Sequence, residues 1–168
     1  KYAWHAINCL ELKKSSKICQ NSSVSYAIAL WHIFAPLLTG AKLFIYPEET
    51  AKNPVVLLEK IKEDGIRLLE ITPSSINVLL DSINKSEADW LNEITLILVG
   101  EKIQKSLIKK INKLSKGTKL LAHYGQSEAL SPTKFYEIDL SKNNKIMAGQ
   151  PENGSQVYIL DENQNLVP

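Results

Sequence analysis

The chain of 168 residues lacks the features that mark several whole classes of protein. Its two cysteines, Cys9 and Cys19, form no CxxC pair and accompany no histidine pair at ligand spacing. This favours small, partly buried apolar side chains over a disulfide or a metal site. No apolar run reaches about 18 residues, and the first residues show no signal-peptide pattern. We therefore expect a cytoplasmic chain with no membrane partner.

The charge of the chain also has no strong bias. Lysine and arginine number 20 and acidic residues 18, which gives a formal net charge of +2. The lysines are spread along the chain, with short pairs such as Lys13-Lys14 and Lys109-Lys110, as on solvated helix faces. Aromatic residues make up 7% and do not alternate with the lysines as a single-strand-binding surface requires. The composition therefore predicts no nucleic-acid partner.

Helical and strand-like patterns alternate over most of the chain. Strands are predicted at 17–20, 42–46, 67–71, 95–99 and 119–122, and helices at 1–12, 26–38, 54–64, 73–84 and 106–114. This alternation predicts an α/β fold with a mainly parallel sheet flanked by helices. After Glu128 the pattern changes, because Lys134–Ile138 and Gln156–Leu160 resemble strands with no helix between them. We expect a core over 1–130 and the start of a β-rich segment, truncated, over 131–168.

Three polar loops follow predicted strands, namely Glu70–Ser75, Val99–Lys102 and His123–Glu128. Ligands of open α/β sheets lie outside the carboxyl ends of the strands, so the three loops are expected to converge on one cleft. In the third loop, a flexible glycine, a hydroxyl and a carboxylate suit a nucleotide and its metal. Taken singly, each loop also fits a plain structural role as a helix start, a turn or a strand end.

The motifs stand in a definite order along nearly the whole chain. They are Tyr26–Phe34, Pro36–Ala41, Ile71–Ser74, Leu98–Lys102, His123–Glu128, Ala148–Pro151 and Gln156–Asp161. This ordered set resembles an internal fragment of an adenylation domain of a nonribosomal peptide synthetase, within the adenylate-forming (AMP-forming) acyl ligase superfamily. The resemblance implies that 1–130 is an acyl- and adenine-binding core within the large N-terminal subdomain of such an enzyme.

The resemblance implies activation of a small carboxylic acid with ATP and Mg²⁺, followed by transfer of the acyl group to a carrier-protein phosphopantetheine thiol. It implies that Tyr124 stacks on adenine and that Gly100, Glu101, Lys102 and Gly125 belong to the same nucleotide site. Ser127 would lie near the phosphate and Glu128 would bind magnesium, and these two are the expected catalytic residues. Further partners are the remaining parts of the adenylation domain and the neighbouring synthetase domains.

The family's acyl-substrate pocket maps by the same resemblance to Ala27, Ile28, Trp31, Glu70, Ile97, Val99, His123, Ser131 and Pro132. Ala27 stands where members that take amino acids carry an aspartate for the substrate ammonium. A buried ammonium without an anion is costly. We therefore expect an acid without a free α-amine, namely an α-keto or α-hydroxy acid, an aryl acid or a fatty acid. Glu70 and His123 either belong to this largely apolar pocket, or Glu70 points to solvent.

One departure from the family pattern, and the family motifs that would lie outside residues 1–168, keep other interpretations open. Gln126 stands where peptide synthetases usually carry proline, which resembles some acyl-CoA ligases more closely. The family's phosphate loop, ribose-binding aspartate and catalytic lysine would lie outside residues 1–168, so the fragment alone is expected to be inactive. The alternatives are a degenerate, non-catalytic scaffold module of a synthetase, an acyl-CoA ligase, and an unrelated flavodoxin-like binding domain.

Overall fold

The structure, a computed structural model, describes residues 1–83, 85–129, 133–139 and 145–167. The helices are α1 (Tyr2–Cys9), α2 (Ile28–Thr39), α3 (Glu48–Lys52), α4 (Pro54–Asp64), α5 (Pro73–Ser82) and α6 (Lys105–Leu114). The strands are β1 (Lys17–Gln20), β2 (Lys42–Ile45), β3 (Leu68–Ile71), β4 (Thr95–Val99), β5 (Lys119–His123) and β6 (Tyr136–Glu137). Short 3-10 helices cover Lys85–Glu93 and Ser127–Ala129.

The described strands form two sheets. One is the parallel pair β1-β2, and the other is four-stranded in the order β3-β4-β5-β6. Strands β3, β4 and β5 are parallel, with Ile71 opposite Leu98 and Val99 opposite His123, while β6 is antiparallel to β5. This register brings the carboxyl ends of the three parallel strands to one edge of the sheet. The predicted α/β class with a mainly parallel sheet is confirmed.

Local sequence signals explain where the central helices begin and end. The side chain of Asn53 accepts hydrogen bonds from the backbone N–H groups of Val55 and Val56, and proline follows at the first helical position of α4. At the start of α5, the side chain of Thr72 accepts a hydrogen bond from the backbone N–H of Ser75. Each such cap contributes about 1 kcal/mol to helix stability. Gly65 ends α4 in the left-handed conformation, at φ 66°, which a residue with a side chain rarely adopts.

Apolar side chains cover both faces of the large sheet. Leu96 and Leu98 of β4 pack with buried residues of α4, α5 and α6, whereas the intervening Ile97 packs on the other face with Trp31 of α2 and residues of α1. Alternating burial on two faces is typical of a parallel sheet between helix layers. The helices that flank the sheet are therefore α4, α5 and α6 on one side and α1 and α2 on the other.

The structure corrects the predictions near the C-terminus. The strand predicted at Gln156–Leu160 is wrong, because within the described residues only Leu160 pairs there, in an isolated bridge with Leu166. The apolar residues of this segment are exposed, Ile159 at 65%. The alternating pattern did not form a strand because no neighbouring strand is available in the described residues to pair with it. The strand predicted at 134–138 is shorter in the structure, where only Tyr136–Glu137 form the strand β6. Helix α3 and the 3-10 helix Lys85–Glu93 were not predicted from the sequence.

Two further expectations concern membranes and cysteines. Among the described helices, none combines the length and the apolar character needed to cross a bilayer. Cys19 is buried in the core, as expected of a small apolar side chain, whereas Cys9 is exposed at the end of α1. Burial raises the pKa of the Cys19 thiol to about 12. That cysteine is therefore an inert packing residue.

Candidate active site

A cavity of about 480 Å³ lies at the carboxyl edge of β3, β4 and β5. Loops after all three strands contribute to it, together with the starts of α1 and α2. Its lining residues are Tyr2, Tyr26, Ala27, Ile28, Thr72, Val99, Gly100, Glu101, His123, Gly125, Gln126 and Ser127. The three polar loops therefore converge on one cleft, as the parallel sheet predicts.

The loops after β3 and β4 are tied to each other by Glu101. Its carboxylate accepts hydrogen bonds from the backbone N–H of Ser74 at 3.0 Å and from the hydroxyl of Ser74 at 2.6 Å. The negative charge therefore sits at the N-terminus of α5, where the helix dipole favours it. Gly100 makes the turn out of β4 at φ 81°, a conformation that favours glycine. These contacts fix one rim of the cavity.

The loop after β5 forms the opposite rim. The Ser127 hydroxyl oxygen accepts a hydrogen bond from the backbone N–H of Ala27 at 3.2 Å, which joins this loop to the start of α2. The Thr133 hydroxyl donates to the backbone carbonyl of Tyr124 at 2.7 Å. The side chain of Tyr124 is 51% exposed, and Glu128 is also exposed, on the 3-10 turn. Hydrogen bonds therefore tie this rim to α2 and to Thr133, while the side chains of Tyr124 and Glu128 are exposed.

Behind the cavity lies a buried polar cluster centred on Glu70 of β3. The indole N–H of Trp31 donates to Oε2 of Glu70 at 2.8 Å, and Nε2 of His32 lies 3.1 Å from the same oxygen. Nδ1 of His123 lies 2.5 Å from Oε1. Glu70 is only 3% exposed, so it does not point to solvent.

The carboxyl of Glu70 is ionised at neutral pH. Burial by itself raises the pKa of Glu70, but the charges and hydrogen bonds of His123 and His32 outweigh burial and lower it to about 2. An ionised carboxylate only accepts hydrogen bonds. Nδ1 of His123 and Nε2 of His32 therefore each carry a hydrogen that is directed at Glu70.

The structure places the predicted acyl-pocket residues in two layers. Ala27, Ile28, Val99 and His123 line the cavity. A deeper layer, within the core or the polar cluster, consists of Trp31, Glu70 and Ile97. Glu70 also borders a smaller cavity of about 250 Å³ near the start of α4. Ser131 and Pro132 lie outside the described residues.

The predicted nucleotide-site residues are also divided. Gly100, Glu101, Gly125 and Ser127 line the cavity. Lys102 instead borders a neighbouring cavity of about 340 Å³ beside α5 and α6, together with Glu101. Tyr124 lies on the exposed rim between the cavity-lining residues His123 and Gly125, and the exposed Glu128 directly follows the cavity-lining Ser127. Their roles toward a nucleotide stay predictions.

Sequence reasoning missed His32, which completes the polar cluster. A single histidine within the apolar helix sequence Ile28–Leu38 is the available signal, because a polar group on a buried helix face needs a partner. It also missed Tyr2, Tyr26, Thr72 and Gln126 as cavity-lining residues. Thr72 and Gln126 stood in the predicted loops, whereas nothing in the sequence placed the start of α1 near β5.

A family model described as AMP-binding enzyme matches residues 2–168. The chain belongs to this family. Gramicidin S synthase 2 of Aneurinibacillus migulanus is 30% identical over 169 residues, which is 96% of this chain and 4% of that protein. Bacitracin synthase 3 of Bacillus licheniformis is 27% identical over 162 residues, which is 94% of this chain and 2% of that protein. The chain thus spans 4% of the length of the first relative and 2% of the second.

The fold of this chain also matches a solved structure. A four-domain nonribosomal peptide synthetase bound to AMP and glycine superposes with a TM-score of 0.80 at 24% sequence identity, over 99% of this chain and 12% of that one. The resemblance to peptide-synthetase adenylation domains, inferred from the ordered motifs, is confirmed. The alternative of an unrelated flavodoxin-like domain is wrong.

The rim after β5 carries groups whose chemistry suits a nucleotide and magnesium. The described residues include no group of three or more His, Cys, Asp or Glu side chains placed to hold a metal ion. Mg²⁺ usually takes one or two carboxylates together with substrate phosphates and water, so Glu128 on the open rim matches that donor set. The exposed ring of Tyr124 gives a flat apolar surface for a base.

Proposed function

We propose that the chain forms the acyl- and adenine-binding part of an adenylation domain. The domain would use ATP and Mg²⁺ to convert a small carboxylic acid into an acyl-adenylate and pyrophosphate. It would then pass the acyl group to the phosphopantetheine thiol of a carrier protein. The observation that carries this proposal is the convergence of three strand-end loops on one cavity in a chain of the AMP-binding family.

The nucleotide end of the site is the rim after β5. Tyr124 presents an exposed ring on which adenine would stack, an interaction worth about 1–3 kcal/mol per base. Gly100 and Gly125 leave the cavity wall without side chains beside that ring. Glu101, held rigid by Ser74, and Lys102 would complete the adenine side of the site.

The phosphate end would depend on Ser127 and Glu128. The Ser127 oxygen already accepts the N–H of Ala27, so its own hydroxyl hydrogen can be donated to a phosphate oxygen. Glu128 supplies a carboxylate oxygen on the same 3-10 turn. Bound Mg²⁺ supplies neutralising charge to the phosphates during in-line displacement. Ser127 would hold a phosphate oxygen and Glu128 would hold the metal ion beside the cavity.

At the acyl end, the cavity supports an acid without a free α-amine. Ala27 lines the cavity and offers no carboxylate to an ammonium group. The carboxylate of the lining residue Glu101 is bonded to Ser74. An ammonium left here without a close anion would lose hydration without compensation. The substrate would be an α-keto or α-hydroxy acid, an aryl acid or a fatty acid.

The partners follow from the same proposal. They are the carrier-protein thiol, the rest of the adenylation domain and the neighbouring synthetase domains. The fragment alone would be inactive, because it holds only part of a nucleotide site. The alternatives are a non-catalytic scaffold module and an acyl-CoA ligase. The presence of Tyr124, Gly125, Ser127 and Glu128 together favours a working nucleotide site over the scaffold.

The test is ATP–pyrophosphate exchange by the full-length protein with amino, keto, hydroxy, aryl and fatty acids. We expect exchange with at least one acid that has no α-amine. Failure with every acid would favour the scaffold. A second assay follows labelled acid onto carrier protein or coenzyme A, and exclusive labelling of coenzyme A would favour the acyl-CoA ligase.

A substitution at Ala27 tests the acyl end separately. Ala27→Asp adds the missing carboxylate to the cavity, so we expect the exchange preference to shift toward amino acids. The ratio of kcat/KM for an amino acid and its hydroxy-acid analogue measures that shift. An unchanged ratio would show that residue 27 does not face the substrate.

A further inference from the structure

The main cavity of about 480 Å³ has a smaller neighbour at the carboxyl end of β3. This second cavity, of about 250 Å³, lies between the loop after β1, the end of α3, the start of α4 and the end of β3. The residues that border both cavities are Tyr26, Ile28, Thr72 and Val99. One layer of side chains, shared by the two cavities, therefore separates them.

Tyr26 is the least buried residue of this layer. It is 62% exposed, whereas Val99 is 7% exposed and Ile28 and Thr72 are half-buried. Displacement of an exposed ring gives up little buried apolar surface, so the layer opens at low cost beside Tyr26. A chain longer than the main cavity therefore has a route into the second cavity.

The second cavity has an apolar side and a neutral polar side. Ala51 of α3 and Pro54 and Leu57 of α4 form the apolar side. Asn21 and Ser75 belong to the polar side. None of these five residues is part of the predicted acyl pocket. The second cavity therefore adds space and polar groups that the predicted pocket does not have.

The polar side offers both a donor and an acceptor. The Ser75 hydroxyl oxygen accepts the hydroxyl hydrogen of Thr72 at 2.9 Å, so the hydrogen of Ser75 itself can be donated to a ligand. Asn21 donates through Nδ2 to the backbone carbonyl of Glu70 at 2.9 Å. Its Oδ1, which lies 3.9 Å from the Cys19 thiol, is an acceptor with two lone pairs. A hydrocarbon end would cover both groups without bonding to either, which costs free energy.

The charged side chains that border the second cavity among the described residues are Lys52 and Glu70, and both are paired. Nζ of Lys52 lies 2.5 Å from Oε1 of Glu48. The carboxylate of Glu70 is bonded within the polar cluster. A charged group on a ligand would lose hydration here without gaining a close counter-charge. The lining therefore favours a neutral polar group.

We propose that the second cavity binds the far end of an extended acid, and that this end carries a hydroxyl group. The carboxylate of the acid would stay in the main cavity, the chain would pass beside Tyr26, and the hydroxyl would meet Asn21 and Ser75. A hydroxyl donates and accepts at once, so it matches both side chains. This inference rests on the proposed function and narrows its substrate class to acids long enough to leave the main cavity.

Straight-chain acids test the inference in the full-length protein. Calorimetry, without nucleotide and with an ATP analogue that cannot be cleaved, gives the Kd of butanoic, hexanoic, octanoic and decanoic acid and of their terminally hydroxylated derivatives. Octanedioic and 8-aminooctanoic acid test charged ends, and pyrophosphate exchange gives KM and kcat. Each methylene buried in the second cavity should tighten binding about fourfold. The terminal hydroxyl should add about threefold or more at the length that reaches the polar side.

Two variants assign these effects to the second cavity. Ala51→Leu fills the cavity from α3 and should abolish the gain with chain length, while the Kd of butanoic acid stays unchanged. Glu49→Leu is its control, because it adds the same side chain at an exposed position of α3 that does not border the cavity. Ser75→Ala should abolish the hydroxyl preference alone. Ser106→Ala, in the first turn of α6, is the matched control.

The outcomes separate this inference from the proposed reaction. Tightest binding of butanoic acid, a chain-length gain that survives Ala51→Leu, or no binding of any acid would overturn the inference. Equal Kd values with and without the hydroxyl at every length, or tighter binding of a charged end, would do the same. Exchange activity in any of these cases would leave adenylation intact. A length gain and a hydroxyl preference that the two variants abolish, with no exchange for any acid, would support the inference and refute the reaction.

Discussion

The β5 wall of the cavity and the rim that follows it are only a few residues apart in sequence, yet they are built in opposite ways. At the wall, His123 is buried and bonded to a carboxylate that is itself buried. On the rim, Tyr124 and Glu128 are exposed, while hydrogen bonds hold the backbone of the loop and the Ser127 hydroxyl. The polar groups of the wall are thus already hydrogen-bonded in the folded chain, whereas the side chains of Tyr124 and Glu128 on the rim are exposed to solvent.

The physical reason for the difference lies in desolvation. A buried charge is stable only with close partners, so a polar group behind the wall has to be fully bonded in the folded chain. An exposed carboxylate or ring keeps contact with water and can exchange that water for a ligand. Substitutions at the wall should therefore change stability first, and substitutions on the rim should change activity first.

The largest effect is expected for Glu70→Leu. This change leaves N–H groups of Trp31, His32 and His123 buried without their acceptor, which should cost about 3–5 kcal/mol of stability. Hydrogen exchange of the full-length protein, read over α2 and β5, measures the loss. Glu101→Gln is the control, because that carboxylate is exposed and should cost about 1 kcal/mol or less. Equal losses of stability for the two variants would contradict the proposed difference between the buried cluster and the exposed rim.

Low pH should reduce the stability of the protein through the same cluster. The pKa of Glu70 is lowered from 4.5 to about 2 in the folded protein, so its contribution is complete above about pH 4.5 and is lost as the pH falls toward 2. A shift of this size corresponds to roughly 3 kcal/mol by linkage. Pulse proteolysis in urea at pH 5, 4 and 3 should show a smaller decline for Glu70→Gln than for the unsubstituted protein. Parallel declines would contradict the assignment.

On the rim, Glu128→Gln should reduce exchange activity while leaving stability unchanged. Removing one electrostatic contact to the reacting phosphates typically costs on the order of 100-fold in kcat. Because Glu128 is exposed, the folded state should change by about 0.5 kcal/mol or less. Pyrophosphate exchange across a magnesium titration measures the first effect and hydrogen exchange the second. Full activity in the variant would remove Glu128 from the site.

A smaller effect is expected for Tyr124→Leu. Loss of stacking should raise the KM for ATP about tenfold, with the KM for the acid unchanged. Tyr124→Phe keeps the ring and should stay close to the unsubstituted protein. A rise in the acid KM instead would place Tyr124 at the acyl end and would blur the distinction between wall and rim.

Local signals predicted the regular elements well where a cap and a partner were both present. Strands 17–20 and 95–99 and helix 54–64 have the predicted bounds, the helix because Asn53, Pro54 and Gly65 mark its two ends. The strand at Gln156–Leu160 failed because an alternating pattern says nothing about whether a neighbouring strand is available. The convergence of three loops followed from one rule about parallel sheets.

The sequence by itself determined the alternation of helices and strands, the edge of the sheet where the cavity lies and the family, because these depend on local patterns and ordered motifs. Only the tertiary structure decided what Glu70 does. His32 and His123, which both contact Glu70, lie 38 and 53 residues from it in the sequence, and no local pattern links these positions. Because Glu70 is buried, its carboxylate depends on these distant donors. The tertiary structure therefore determines which residues contact Glu70 and how His123 is oriented.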